Sequence, residues 1–209
     1  MSDHCHDHAC TAPAAASSPR YRRVLWVALV VNAAMFLVEI VAGLGASSVS
    51  LLADAVDFFG DAANYALSLA VLGMGVAWRA RAAWIKGASM GAFGLFVLGR
   101  AAFGAASGSV PEAVTMGTVG ALALVANVGV AALLYAWREG DANMRSVWLC
   151  SRNDAIGNVA VMVAALGVFG TGTAWPDLLV ATVMASLALS AAWSVMRQAR
   201  GELRHVHAA

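Results

Sequence analysis

The sequence predicts an all-α integral membrane protein with six transmembrane helices and both termini in the cytoplasm. Three observations carry this. Of 209 residues, 61% are hydrophobic and only 12% charged, whereas a soluble domain averages roughly a quarter charged. The mean hydropathy is +0.74. Apolar runs of about 20 residues, each long enough to cross some 30 Å of hydrocarbon, recur along the chain. Finally, Lys and Arg alternate between the connections that join those runs.

The first run, near 24 to 44, follows Arg20, Arg22 and Arg23 as a signal peptide would. Its length, its internal Glu39 and the five runs after it make it a retained span. The second, near 49 to 77, and the fifth, near 145 to 169, are long enough to tilt or to protrude into water. The third, near 84 to 106, carries Gly87, Gly91 and Gly94, small residues that let helices approach closely in lipid. The fourth and sixth lie near 113 to 137 and 176 to 197. Residues 1–23 read as a disordered His/Cys-rich cytoplasmic tail, 24–197 as the transmembrane domain and 198–209 as a short cytoplasmic tail.

Orientation follows from the basic residues, which resist translocation. Arg20, Arg22 and Arg23 precede span one, and Arg79, Arg81 and Lys86 lie between spans two and three. Arg138 and Arg145 lie between spans four and five; Arg197, Arg200 and Arg204 follow span six. The opposite connections, around 45 to 48, 107 to 112 and 170 to 175, contain neither Lys nor Arg. Both ends are therefore expected on the cytoplasmic side of the plasma (inner) membrane. With a net charge of +1 and no basic, aromatic-interleaved patch, nucleic acid is excluded as a partner. Three cysteines, two in the first ten residues and one in a span, do not form a disulfide framework.

An ionisable side chain at mid-bilayer costs about 2.5 to 3.5 kcal/mol, so each needs a partner, a cavity or an ion. The spans contain Glu39, Asp54, Asp57, Asp61 and Asp154 against Arg100 and Arg152. Protons or a metal should offset the excess of carboxylate; pairing of the acids with Arg100 or Arg152 is the structural alternative. Asp57 and Asp61 stand at i and i+4, and Asp54 lies one turn earlier, which puts all three on one stripe of span two. Cys150 and Asp154 repeat the i, i+4 spacing in span five. Carboxylates with a thiolate in a four-ligand array suit Zn²⁺ or a softer ion such as Cd²⁺, and suit Mg²⁺ or Ca²⁺ less. Asn32, Asn64, Asn127 and Asn158 lie in the spans as interhelical hydrogen-bonding groups or as support for ligands. At the N-terminus, His4, Cys5, His6, His8 and Cys10 fall within ten residues and read as an auxiliary, low-specificity metal-binding tract.

These residues resemble the cation diffusion facilitator family from about residue 24 to 200. The run NAAMFLVEIVAGLGASSVSLLADAVDFFGDAANY matches the family's Asn and Glu of span one, its small-residue turn and its span-two ligand pair, while CSRNDAIGN matches its span-five pair. Asn127 and Asp177 fall in register as well. The resemblance implies that Asp57, Asp61, Cys150 and Asp154 form a transport site supported by Asp54 and Asn158. It implies efflux of a divalent cation by proton antiport, with zinc first and cobalt or cadmium as further cargo, no prosthetic group and no enzymatic activity. Cys150 stands where the family has His or Asp, so metal preference does not carry over. The cytoplasmic domain that usually follows span six has no counterpart in 198–209, which leaves the spans as the surface for a homodimer in the lipid. Two other readings start from the same residues: a membrane-anchored metal-binding protein working through its tail, and an intramembrane hydrolase using paired aspartates.

Overall fold

A computed structural model of the chain describes residues 19–70, 76–137 and 142–208. These form six helices and, among the described residues, no strand: α1 (Pro19–Gly45), α2 (Val49–Ala70), α3 (Val76–Ser107), α4 (Ala113–Leu134), α5 (Ala142–Thr171) and α6 (Trp175–Ala208). A 3-10 turn, Tyr135–Trp137, follows α4. The main pairings are α1 with α2, α4 with α5 and α3 with α6, and α2 also meets α3, α5 and α6.

The helices wear their apolarity outward. In α1 the buried stripe is Tyr21, Leu25, Ala28, Asn32, Met35, Glu39 and Gly43, spaced by three or four residues. Its opposite face exposes Val30, Leu37 and Val41. In α4 the stripe holding Asn127 is likewise buried while Val114, Leu122, Val125 and Val128 face out. Polar groups inside and aliphatic groups outside are what lipid as the surrounding solvent selects. Helix α2 differs, because Val49 through Val56 are buried without a break and make it the central element.

Five helices, all but α2, are long and apolar enough to cross a membrane. Helix α2 has the length, at 22 residues, but carries Asp54, Asp57 and Asp61, the acids expected of span two. Several boundaries move from their expected places. Helix α1 begins at Pro19, so residues 19 to 23 extend the first span and do not belong to the tail. Residues 76 and 77, read as the end of span two, open α3, which starts eight residues earlier than expected. Helix α6 runs on to Ala208, so the short tail expected from 198 is a continuation of that helix. Each shift adds polar residues that a hydropathy window discards, although backbone hydrogen bonding continues through them.

Small residues set how closely the elements pack. A Cβ on Gly43 would lie 2.9 Å from Leu52 Cδ2 and 3.2 Å from Leu52 N, so α1 touches the α2 backbone there. On α3, a Cβ at Gly87 would lie 2.9 Å from Met196 Cγ and 3.2 Å from Ala192 O; at Gly94 it would meet Leu189 Cγ at 3.0 Å. Gly91, between them, would make only an ordinary contact at 3.7 Å. Gly87 and Gly94 thus mark a close α3–α6 seam, where the sequence suggested close packing for α3 without indicating its partner. Phe36, Phe59 and Phe93 join α1, α2 and α3 with ring centroids 5.6 to 6.0 Å apart.

At one end of the bundle the turns are tied together. The Asp177 carboxylate, in the first turn of α6, accepts bonds from Ser48 Oγ (2.8 Å), Val49 N (2.8 Å) and Ser50 N (3.0 Å). It therefore satisfies N–H groups at the start of α2 that have no partner within their own helix. Glu112 N donates to Ala46 O at 2.9 Å, which fastens the α3–α4 turn to the α1–α2 turn. Ser47, in that second turn, holds a left-handed backbone with φ of 55°.

Candidate functional site

The polar interior is built where α2 and α5 run antiparallel, and its contacts form a ladder. At the first rung Asn158 Nδ2 donates to Asp54 Oδ2 at 2.6 Å and Asn158 Oδ1 accepts from Asn127 Nδ2 at 2.9 Å. One asparagine thus links α2, α4 and α5. One turn along α5 and two along α2, the Asp61 and Asp154 carboxyls come within hydrogen-bonding reach of each other. At the third rung Tyr65 Oη donates to Asp61 Oδ2 at 2.9 Å and stands 2.7 Å from Ser151 Oγ. Residues 54, 61 and 65 of α2 therefore meet 158, 154 and 151 of α5, descending one chain while ascending the other.

Asp57 lies on the same stripe between the first two rungs and interacts electrostatically with Asp54 and Asp61. With Asp154 it lines a cavity of about 480 Å³ whose other walls include Met90, Asn153, Met184 and Ala188. Asp54 and Asp61 are buried, whereas Asp57 and Asp154 are half-buried on this cavity. Glu39 of α1 is fully buried beside Asp54. Both its oxygens, and Asp54 Oδ1, lack a hydrogen-bond donor. Two carboxyl groups in reach of each other bond only when one of them holds a proton.

The expected ligands are thus partly brought together. Asp57, Asp61 and Asp154 share one interior region, with Asp54 and Asn158 beside them. Cys150 lies in α5 one turn before Asp154; its side chain is outside the described residues. The tail residues His4, Cys5, His6, His8 and Cys10 lie outside them as well. Among the described residues, no three His, Cys, Asp or Glu side chains stand close enough together to hold a metal ion.

The basic residues depart from expectation. Arg152 does not balance the acids: it is exposed, stacks over Trp148 at 5.4 Å and donates to the neighbouring Asn153 Oδ1 at 3.2 Å. Arg100 Nε is buried without a hydrogen-bond partner. Lys86, placed by the sequence in a cytoplasmic connection, is instead buried in the third turn of α3. It donates to Asn64 Oδ1 and interacts electrostatically with Asp61. Tyr65, Ser151 and Lys86 are the site residues that sequence reasoning missed. Only the first had a signal, standing four residues after Asp61 on the same helical face.

A sequence profile described as the cation efflux transmembrane domain matches residues 25–203. The chain belongs to the cation efflux family. Two relatives are 23% identical to it over 206 residues: the metal cation efflux system protein CzcD of Cupriavidus metallidurans and the cation efflux system protein CzcD of Alcaligenes sp. strain CT14. In both cases the match covers 93% of this chain and 62% of the relative, so the chain spans under two thirds of their length. The cation efflux family is a family of membrane transporters, which agrees with a helical bundle whose polar groups converge on its interior.

Proposed function

We propose that the chain exports a divalent metal cation in exchange for protons, with Asp57, Asp61, Asp154 and Cys150 as its ligands. The observation that carries this reading is the α2–α5 ladder, where carboxylates from two facing helices converge beside a cavity. Like charges held this close are favourable only when they share a cation or hold a proton, and both exchange partners satisfy that condition. Asp54 and Asn158 support the set by tying α2 to α5. Zinc is the first cargo expected, with cobalt and cadmium next; the names of the CzcD relatives support efflux of a metal cation.

Proton coupling follows from ligand chemistry, because a carboxylate or thiolate must lose its proton to bind metal and regains it when the metal leaves. Alternating access would then exchange an arrangement in which α2 and α5 close on the ion for one in which they part. The membrane in question is the plasma (inner) membrane, with both termini cytoplasmic, and a homodimer would form through the outer helix faces in lipid.

Uptake into everted membrane vesicles tests the reading. Vesicles containing the chain should accumulate Zn²⁺, and do so faster when their interior is acidic. Cd²⁺, Co²⁺ and Ni²⁺ assayed alongside rank the cargo. Uptake no greater than in vesicles without the protein would refute it.

A further inference from the structure

Helix α6 carries a groove of about 380 Å³ lined by Trp193, Met196, Arg197, Arg200, Gly201 and Arg204. These residues stand at i, i+3, i+4, i+7, i+8 and i+11, which is one face of the helix. Trp193 and the three arginines are exposed, and no described carboxylate lines the groove. From Trp193 to Ala208 the sequence sets Arg197, Arg200 and Arg204 against one acid, Glu202. The groove uses none of the acids assigned above to the metal. It is also graded along its length. The apolar stretch of α6 is Trp175–Gly201, so Trp193 and Met196 lie within it, Arg197 and Arg200 near its end and Arg204 beyond it. Eleven residues of helix rise about 16 Å, enough to pass from the acyl zone through a polar layer of roughly 5 to 8 Å on that side of the bilayer. Arg200 lies 5.8 Å over the Trp84 ring of α3. Stacking presets the guanidinium plane, and a stacked guanidinium still offers its edge N–H donors to a phosphate.

We propose that this groove binds an anionic phospholipid, with the headgroup phosphate on Arg197, Arg200 and Arg204 and the acyl chains against Trp193 and Met196. A phospholipid is the occupant that matches the gradient, because it too is apolar inside the bilayer and anionic at its surface. A soluble anion would use the arginines alone. A second copy of the same face would set arginine against arginine across a symmetric interface. General attraction of basic residues to an anionic membrane surface predicts a different pattern, in which every exposed basic cluster at that end contributes alike. Arg20, Arg22 and Arg23 of α1 supply the comparison, since they are exposed, lie at the same end of the six-helix bundle and stand outside the groove.

Native mass spectrometry of the purified full chain, titrated with a phosphatidylglycerol and a phosphatidylcholine of identical acyl chains, reads the site. Wild type should bind the phosphatidylglycerol at least about tenfold more tightly. The triple variant Arg197→Gln, Arg200→Gln, Arg204→Gln should bring the two lipids within about twofold of each other. The triple variant Arg20→Gln, Arg22→Gln, Arg23→Gln should keep the wild-type preference. If the α6 triple variant does not fold, Arg197→Gln and Arg204→Gln singly should each lose about fivefold in phosphatidylglycerol affinity. Equal binding of both lipids by wild type, or an equal loss in the α1 and α6 triple variants, would overturn the proposal, and so would single variants that bind like wild type. Millimolar inorganic phosphate should leave the lipid bound; displacement by it would assign the arginines to a soluble anion. Wild-type dimers that form without lipid and come apart in the α6 variant would give the face to a second copy, which also overturns the proposal.

Discussion

Asn158 joins three helices through one side chain, donating to Asp54 and accepting from Asn127. Asn158→Leu should destabilise the bundle by about 2 to 4 kcal/mol, because it strands a buried carboxylate oxygen and a buried amide. Denaturant unfolding in bicelles measures this, and loss below about 1 kcal/mol would mean that water takes over both partners. Cys150 carries the metal-preference question. Cys150→His and Cys150→Asp should shift selectivity away from the softer Cd²⁺, read as the ratio of Cd²⁺ to Zn²⁺ flux. An unchanged ratio would remove Cys150 from the ligand set. At this scale the shared stripe of Asp54, Asp57 and Asp61 and the interhelical role of Asn158 were legible, since spacing on a helix decides which side chains share a face. The exchange of roles between Lys86 and Arg152 was not. Both are single basic residues near a span end, and only the rotation of α3 and α5 against their neighbours turns one inward and the other onto Trp148.

Helix α2 is held by groups remote in sequence. Asp177, 128 residues from Val49, caps its start, and Leu52 packs against Gly43 of α1. Asp177→Ala removes three bonds to one buried carboxylate and should cost about 2 to 3 kcal/mol, while Asp177→Asn should recover part of it. Loss of equal size in both variants would mean that charge, more than geometry, holds the α2 start. Gly87→Val should force α3 from α6 at a cost of about 1 to 3 kcal/mol, because the added atoms meet the backbone oxygen of Ala192 as well as the movable Met196. Thermal unfolding in detergent checks both. The six helices were readable from hydropathy, and the α3 glycines marked close packing of that helix without indicating its partner. Helix ends were misplaced where polar residues continue a helix past its apolar run, as at Pro19–Arg23 and beyond Arg197. Hydropathy reports the solvent around a segment, whereas the helix obeys its backbone hydrogen bonds.

Among the described residues, the acids of α1, α2 and α5 face inward while many large apolar side chains face outward, so the charged interior dictates function more than the surface does. Removing residues 1 to 12 should leave flux intact, because the ladder uses none of them. Loss of transport on that deletion would move the essential metal site to the tail. Reporters fused to either end should both lie on the cytoplasmic side, as the distribution of Lys and Arg requires. A reporter exposed on the far side at one end would mean an odd number of crossings. The central claim is that a cation passes between α2 and α5 through their facing acids. Zinc flux into proteoliposomes containing wild type, Asp57→Ala or Asp154→Ala, each shown to be folded, tests it most directly. Flux in both variants should fall to that of protein-free liposomes; transport by either at the wild-type rate would contradict the account.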